Sequence, residues 1–192
     1  MNAVIENIRT RRSIRSYEQR QIPVNDLRTI LEAASFAPCA MATQGWLFTA
    51  LQSPEAMKKA NDALRLTLRT IPVTVGMNPR MAALIEKSEL DDSEFLYGAP
   101  AYVIVSHDAQ NPNAMADSAI ALNTMMLSAH SLGIGSCWLN HLAGFSDKPL
   151  VRALCKDLGI PDNHKIYGTL ALGYSAEPPK SADPRKDVIR IL

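Results

Sequence analysis

The chain has 192 residues, a length that suits one domain with a real hydrophobic core. Its 20 Lys and Arg residues almost balance its 19 Asp and Glu residues, so that the formal net charge is +1. This balance excludes the protein-wide basic field that attracts nucleic acid or acidic lipid, and any anion site must therefore be local.

Helical and strand patterns follow one another irregularly along the chain. Apolar residues at helical spacing, with Ser53 and Pro54 as a cap and a first-turn proline, predict helices at residues 4–8, 24–37, 54–71, 117–132 and 148–158. Short apolar runs predict strands at residues 46–51, 101–106, 136–140 and 167–173. The helix at 117–132 is apolar almost all round, which indicates a central position or a subunit interface. Strands without regular strand-helix alternation favour an α+β fold, in a single domain of residues 1–192.

Two segments fall outside this pattern. Residues 70–92 mix Pro72, Gly76 and Pro79 with a short amphipathic piece at 81–85, which predicts a surface excursion or a lid. The tail is rich in proline at residues 178–184 and then reads DVIRIL. Unattached termini are usually polar and mobile, and pairing with a second subunit would explain so apolar a tail.

The cysteines and the hydropathy pattern indicate a compartment. Cys39, Cys137 and Cys155 are odd in number, lie far apart and lack the paired spacing of a zinc site. The first twenty residues contain no apolar signal-peptide core, and no later stretch is long enough to cross a bilayer. We therefore expect a cytoplasmic protein with no membrane partner.

Positive charge is concentrated in RRSIRSY, residues 11–17, after the first predicted helix. If this segment is extended, Arg11, Ser13 and Arg15 project to one side. Two guanidinium forks and a hydroxyl on one face can clamp a phosphate. A solvated basic segment is the alternative, and composition alone does not reject it.

Two further stretches would let a ligand approach the backbone. Small residues and Gln44 form a loop after the second predicted helix, in APCAMATQGW. Gly133 and Gly135 follow the long apolar helix, where they also suit a simple helix stop and strand start. They are not the GxGxxG fingerprint of dinucleotide-binding folds, because they follow a helix and enter a strand.

The sequence contains no convincing set of catalytic or metal-binding side chains. Cys137 and His141 lie on or just after one short predicted strand, without a third group to orient them. The histidines have no partner at metal-ligand spacing such as HExxH. We therefore predict no metal site and interpret His130 as a buried histidine satisfied by a neighbour.

Five stretches, in this order and at these separations, resemble the FMN-dependent nitroreductase family. They are RRSIRSY, AASFAPCAMATQGWLF, GAPAYVIV, ALNTMMLSAHSLGIGSCWLN and LALGYSAEPPKSADPRK, which together span nearly the whole chain. The resemblance implies a nitroreductase-like α+β fold, with a mixed or antiparallel sheet of four to five strands flanked by helices. It also implies a homodimer that exchanges its C-terminal tails and holds FMN at its interface.

The resemblance further implies which residues bind FMN. The phosphate and the ribityl chain would be bound by Arg11, Arg12, Ser13 and Arg15, with Arg185 at the phosphate. The flavin ring would contact the backbone of Gly133, Ile134 and Gly135. The second subunit would contribute Pro38, Cys39, Ala40, Met41 and Gln44. The chain departs from the family pattern at three positions near the flavin, where many members have serine for Cys39, asparagine for Ala42 and proline for Gly45.

The implied function is a ping-pong oxidoreductase, in which NADH or NADPH reduces the flavin and a nitroaromatic, quinone or similar acceptor reoxidises it. The flavin N5 atom would carry the chemistry, so that no catalytic side chain is expected. The alternatives are an ene-reductase or reductive dehalogenase on the same fold, or a flavin-binding protein without turnover.

Overall fold

A single antiparallel sheet organises the part of the chain that the computed structural model describes, residues 2–182, 186 and 188–191. Its strands are β1 (Trp46–Leu51), β2 (Ala101–Asp108), β3 (Gly135–Leu139) and β4 (His164–Gly173). They lie in the order β1-β2-β4-β3, and each neighbouring pair is antiparallel. Within the described residues the sheet thus has the lower of the two expected strand numbers and no parallel pair.

The central strand β2 explains how the core is divided. Its apolar run AYVIV is buried on both faces, as expected of an inner strand. Because side chains alternate along a strand, Tyr102 and Ile104 enter one hydrophobic cluster, whereas Val103 and Val105 enter the other. The sheet therefore separates two apolar layers, each covered by helices.

The described part of the chain has seven helices. They are α1 (Ala3–Thr10), α2 (Val24–Ser35), α3 (Pro54–Arg69), α4 (Pro79–Ser88), α5 (Ala114–Ser131), α6 (His141–Gly144) and α7 (Pro149–Asp157). Helix α1 packs on α5, and the other six cover the sheet. Apolar residues of α3, α4, α6 and α7 pack in the Tyr102 layer, and those of α2 and α5 pack in the Val103 layer. The α+β fold that the sequence indicates is confirmed.

Helix boundaries follow local signals where the sequence supplies them. The Ser53 hydroxyl accepts a hydrogen bond from the Ala56 amide, and Pro54 occupies the first helical position of α3, as predicted. Helix α2 ends at Ser35, two residues earlier than expected, because its last turn loosens into i to i+3 hydrogen bonds before Pro38.

Two features were missed from the sequence. Helix α4 is longer than the amphipathic piece at 81–85, because the Asn78 side chain caps it and Pro79 starts it. The one-turn helix α6 is too short to show a helical period. In the described residues, no helix combines the length and the apolar character that a membrane span requires.

Candidate functional site

The arginine segment, residues 11–17, lies beside the sheet rather than free in solvent. Ser13 forms a parallel bridge with Ser136 of β3, and the Ile14 amide donates to the Ser136 carbonyl over 3.0 Å. The buried Tyr17 hydroxyl donates to the Ile14 carbonyl over 2.6 Å. Burial raises the pKa of this phenol, which therefore stays neutral and keeps its proton for the hydrogen bond. These contacts fix the backbone that carries the arginines.

Two adjoining cavities flank this segment. The His130 cavity, of about 200 Å³, is lined by Thr10, Arg11, Arg12, Ile14, His130, Gly133, Ile134, Gly135, Ser136, Ser175 and Pro179. The Arg15 cavity, of about 460 Å³, is lined by Arg12, Ser13, Ile14, Arg15, Ser16 and residues of the 175–181 segment. Arg12, Ile14, Ser175 and Pro179 line both cavities, which are therefore continuous along the arginine segment.

The arginine segment is not a regular strand. It makes isolated bridges to its neighbours instead of a continuous ladder. Arg11 lines the His130 cavity, Ser13 and Arg15 line the Arg15 cavity, and Arg12 lines both. That Arg11, Ser13 and Arg15 share one side stays a prediction.

The guanidinium groups of Arg11 and Arg12 differ in whether the protein supplies acceptors for their hydrogen bonds. Arg12 Nη1 donates to the carbonyls of Arg9 and Arg11, over 2.8 and 2.6 Å, at the end of α1. Arg11 Nη1 is buried and has no hydrogen-bond partner among the described residues. Burial lowers the pKa of the Arg11 guanidinium, because the charged form loses solvation. A buried donor of this kind requires an acceptor, and an anion would supply both the acceptor and the counter-charge.

Glycine suits positions 133 and 135 of the GIG stretch for different structural reasons. Gly133 has a φ of +72°, which favours glycine at the end of α5, and a Cβ atom there would meet nothing within 4 Å. At Gly135 a Cβ atom would lie 2.7 Å from Ile14 Cγ1, so glycine lets the arginine segment pack on β3. The backbone of Gly133 is thus open to a ligand, whereas Gly135 is already close-packed.

The loop at residues 38–44 is held in an unusual conformation. Met41, Ala42 and Gln44 all have φ values near +50°, a region that non-glycine residues adopt at an energetic cost. The Ala40 amide donates over 3.0 Å to Oδ1 of Asp117, which is 2% exposed. The Gln44 amide donates to the Cys39 sulfur over 3.4 Å. Backbone strain that the surroundings maintain in this way is typical of ligand-binding loops.

The structure brings some predicted site residues together and separates others. Arg11, Arg12, Gly133, Ile134 and Gly135 line one cavity, and Ser13 and Arg15 line the adjoining one. The loop at 38–44 is attached near the start of α5, through Asp117, whereas Gly133 follows the end of that helix. The 16 residues between them span about 24 Å of helix. Arg185 lies outside the described residues.

Sequence reasoning missed the polar groups that complete the His130 cavity. His130 Nε2 lies 2.9 Å from Thr10 Oγ1, and both residues line the cavity. His130 is half-buried, not buried as predicted, because it lies in the last turn of α5 at the edge of the cavity, and its neighbour is Thr10. The Ser136 hydroxyl is buried and has no hydrogen-bond partner in the described part of the chain. The sequence signal that could have placed His130 in this cavity was its position, one helical turn before Gly133.

Comparisons with known proteins identify the family that the sequence resembles. A model of the nitroreductase family matches residues 8–174. The chain is 32% identical over 179 residues to an Archaeoglobus fulgidus protein provisionally named an NADH dehydrogenase/NAD(P)H nitroreductase, covering 91% of this chain and 86% of that one. It is similar to a Bacteroides fragilis nitroreductase crystallised with bound FMN, with 36% identity, full coverage of both chains and a TM-score of 0.89. A second FMN-bound nitroreductase, from Desulfitobacterium hafniense, is 25% identical with a TM-score of 0.83, covering 100% of this chain and 99% of that one.

Proposed function

The chain belongs to the nitroreductase family, and we propose that it is an FMN-dependent oxidoreductase that takes electrons from NADH or NADPH. The observation that carries the proposal is the buried, unpartnered Arg11 Nη1 in a cavity of the arginine segment. Two structurally similar nitroreductases contain FMN, and relatives of this chain are named for NADH or NAD(P)H oxidation.

The residues present fit an FMN phosphate. Arg11 offers a desolvated guanidinium, Arg12 adds a second positive charge, and the Ser136 hydroxyl is an unused donor. Charge-assisted hydrogen bonds to a phosphate dianion would satisfy these groups better than water does. We assign the phosphate to the His130 cavity, and Ser13 and Arg15 to the remainder of the cofactor.

When bound, FMN supplies the redox chemistry, by accepting a hydride from NADH or NADPH and passing the electrons to an acceptor. The chain itself binds and orients the cofactor. Tyr17 and the Ser136 carbonyl hold the arginine segment in place, and the open backbone at Gly133 lets a planar group approach closely. Arg15 has no hydrogen-bond partner among the described residues and can stabilise negative charge that develops on a reduced cofactor.

We further propose that the active form is a homodimer. The loop at 38–44 is attached about 24 Å of helix away from Gly133, which supports a second copy as the source of the loop beside the flavin. Large apolar side chains are exposed in and beside that loop, with Phe36 at 87% and Met41 at 93%. Exposed apolar surface of this kind is typical of an interface.

An apolar groove supports the tail exchange that the family resemblance implies. A groove of about 590 Å³ runs between α2 and the edge strand β1 and includes the apolar residues Val24, Leu31, Trp46, Leu47 and Phe48. Val188, Ile189 and Ile191 of the tail are all at least 78% exposed. We propose that each tail occupies the partner's groove, which would bury both apolar surfaces and cover an open sheet edge.

The acceptor and the compartment belong to the proposal as well. A nitroaromatic or a quinone is the acceptor we propose, in the cytoplasm, and residues 70–92 are the candidate lid. Within that region α4 is docked by Arg69, which donates to the carbonyls of Ser88 and Glu89. The exposed portion is residues 71–78, where Val73 and Val75 face solvent. The alternative function is flavin binding without turnover.

One experiment separates these functions. The purified full chain is examined for the absorption bands of oxidised flavin, and then mixed with excess NADH or NADPH and a quinone or nitroaromatic acceptor. The proposed enzyme oxidises many equivalents of reduced nicotinamide per flavin, whereas a flavin carrier oxidises one. A protein that contains no flavin and binds none when FMN is added would overturn the proposal.

A further inference from the structure

We propose that His130 is a phosphate-binding residue of the FMN site, and that FMN binding is coupled to the uptake of one proton from solvent by its imidazole ring. This inference rests on the proposed function. In the proton balance, a neutral His130, a phosphate dianion and one proton from solvent become an imidazolium-phosphate pair. No bond other than the new N–H bond on the imidazole is formed or broken.

The position of His130 is the first part of the argument. It lies in the last turn of α5 and lines the same cavity as Arg11 and Arg12. The unpartnered Arg11 Nη1 belongs to this cavity as well. A phosphate that satisfies Arg11 there would therefore lie in the space that the imidazole also borders.

The hydrogen bond to Thr10 fixes the neutral tautomer. The Thr10 hydroxyl has one proton, which it donates to the Glu6 carbonyl over 2.8 Å. Its oxygen must then accept from His130 Nε2 over 2.9 Å, so that Nε2 carries the hydrogen. In the neutral ring Nδ1 therefore has a lone pair and no proton, and it makes no hydrogen bond within the described residues.

That tautomer makes the neutral ring a poor phosphate ligand. A phosphate dianion only accepts hydrogen bonds, and because Nε2 is engaged by Thr10, the ring nitrogen left for it is Nδ1, which offers a lone pair. Protonation turns Nδ1 into a charged donor while the Nε2–H bond to Thr10 persists. The imidazolium then contributes the kind of charge-assisted hydrogen bond that anions favour.

The electrostatic surroundings give the direction of the coupling. Without an anion, the pKa of His130 is lowered by burial first and then by the charges of Arg11 and Arg12. Among other charged residues, Glu6 and Arg9 lie on α1, the helix that carries Thr10, and Arg15, Glu177 and Lys180 line the adjoining cavity. A phosphate dianion beside the ring opposes the effect of the arginines and raises the pKa of His130 in the complex.

Affinity must therefore depend on pH. Between the lower pKa of His130 in the free protein and its higher pKa in the complex, FMN binding takes up a proton, and affinity increases as pH falls through that window. Below the lower value both states are protonated and the dependence ends. Because the free pKa lies under the usual value of about 6.5, the window begins below that pH and extends upward.

The test compares the full chain with His130→Gln, which can still donate to Thr10 but cannot titrate. Dissociation constants for FMN are measured from flavin fluorescence between pH 5.5 and 8.5, and riboflavin serves as a ligand without phosphate. His164→Gln is the matched control, because His164 is hydrogen-bonded to Ser106 and burial also lowers its pKa. The FMN phosphate titrates in every sample, so only the ratio of variant to wild type is interpreted.

The expected ratio of FMN dissociation constants, His130→Gln over wild type, is well above one at low pH and falls as pH rises, by up to tenfold per pH unit within the window. The ratio for riboflavin and that for His164→Gln stay flat. A ratio for FMN that does not change with pH, or an equal change with riboflavin, overturns this inference and leaves the proposed function standing. Failure of the wild type and both variants to bind FMN overturns the two together.

Discussion

The imidazole ring of His107 packs directly on the backbone of Gly45, and a Cβ atom at position 45 would lie 2.6 Å from its Cε1 atom. His107 is 1% exposed, and its strand partner is Trp46, the residue after Gly45. The glycine and the buried histidine therefore form a matched pair, in which the ring fills the volume that a larger residue would need.

This pair predicts that Gly45→Ala destabilises the protein. Because the ring cannot leave its buried position easily, we expect the free energy of unfolding to fall by about 1–3 kcal/mol, the usual range for overpacking. Gly144→Ala is the control, since a Cβ atom there would meet nothing within 4 Å. Urea denaturation of both variants measures the effect, and equal stability of the two would contradict the contact.

Asp117 leads to a second prediction, about the loop at residues 38–44. Its Oδ1 atom accepts the Ala40 amide, whereas Oδ2 lies 3.8 Å from His107 Nε2 without a hydrogen bond. Asp117→Asn and Asp117→Ala both remove the charge, but only asparagine keeps an acceptor for Ala40. We expect the alanine variant to unfold more easily than the asparagine variant by about 1–3 kcal/mol, in the same denaturation assay. If the two variants unfold alike, this hydrogen bond does not hold the loop.

The sequence predicts the sheet strands and most helices because their signals are local. The continuous apolar run of β2 and the Ser53-Pro54 start of α3 each identify an element without knowledge of its neighbours. Helix α6 and the first residues of β4 lack such a signal. His164 and Lys165 become strand residues because β2 extends far enough to pair with them, which is a tertiary effect.

The candidate site was predicted only where a motif supplied the residues. The arginines and glycines that the family resemblance indicates do line adjoining cavities. The roles of Thr10 and Ser136 depend on how α1 and β3 pack against the arginine segment, and the buried pair of Asp117 and His107 joins residues from different elements. No pattern along one chain reports such proximity, which explains why these groups were missed.

Arg11 carries the third prediction. Its buried guanidinium should make the strongest contact with FMN, so Arg11→Ala should weaken FMN binding by about 1.5–3 kcal/mol, or roughly ten- to 150-fold in the dissociation constant. Arg11→Lys keeps the charge but loses the fork, and we expect an intermediate loss. Arg80→Ala is the control, because Arg80 is exposed on α4. Flavin fluorescence titration gives the constants, and unchanged affinity in Arg11→Ala would refute the phosphate assignment.

A fourth prediction concerns the attachment of α4. Arg69 Nε donates to the Ser88 carbonyl over 2.6 Å, and Nη2 donates to Glu89 and to Asp91, so that one side chain holds the end of α4. Arg69→Ala should raise hydrogen exchange across Pro79–Ser88 while leaving β2 protected. The local opening free energy should fall by about 1–3 kcal/mol, because the carbonyl of the buried Ser88 loses a charged donor. Arg80→Ala provides a control within α4 itself, and equal exchange in both variants would show that Arg69 does not anchor the helix.

The last prediction tests the exchanged tail. A chain that ends at Lys186 keeps Arg185, which the family resemblance implies as a phosphate ligand. It removes Val188, Ile189 and Ile191, whose apolar side chains should fill the partner's groove between α2 and β1. Burying a residue of this size contributes about 1.5–3 kcal/mol, so loss of three should move the dimer-monomer equilibrium by several powers of ten. Light scattering should then report a monomer at concentrations where the full chain is a dimer.

The variant Arg190→Gln alters the tail without removing an apolar side chain and should stay dimeric. If the truncated chain remains a dimer with unchanged affinity, surfaces other than the tail hold the subunits together, and the groove beside β1 has another occupant.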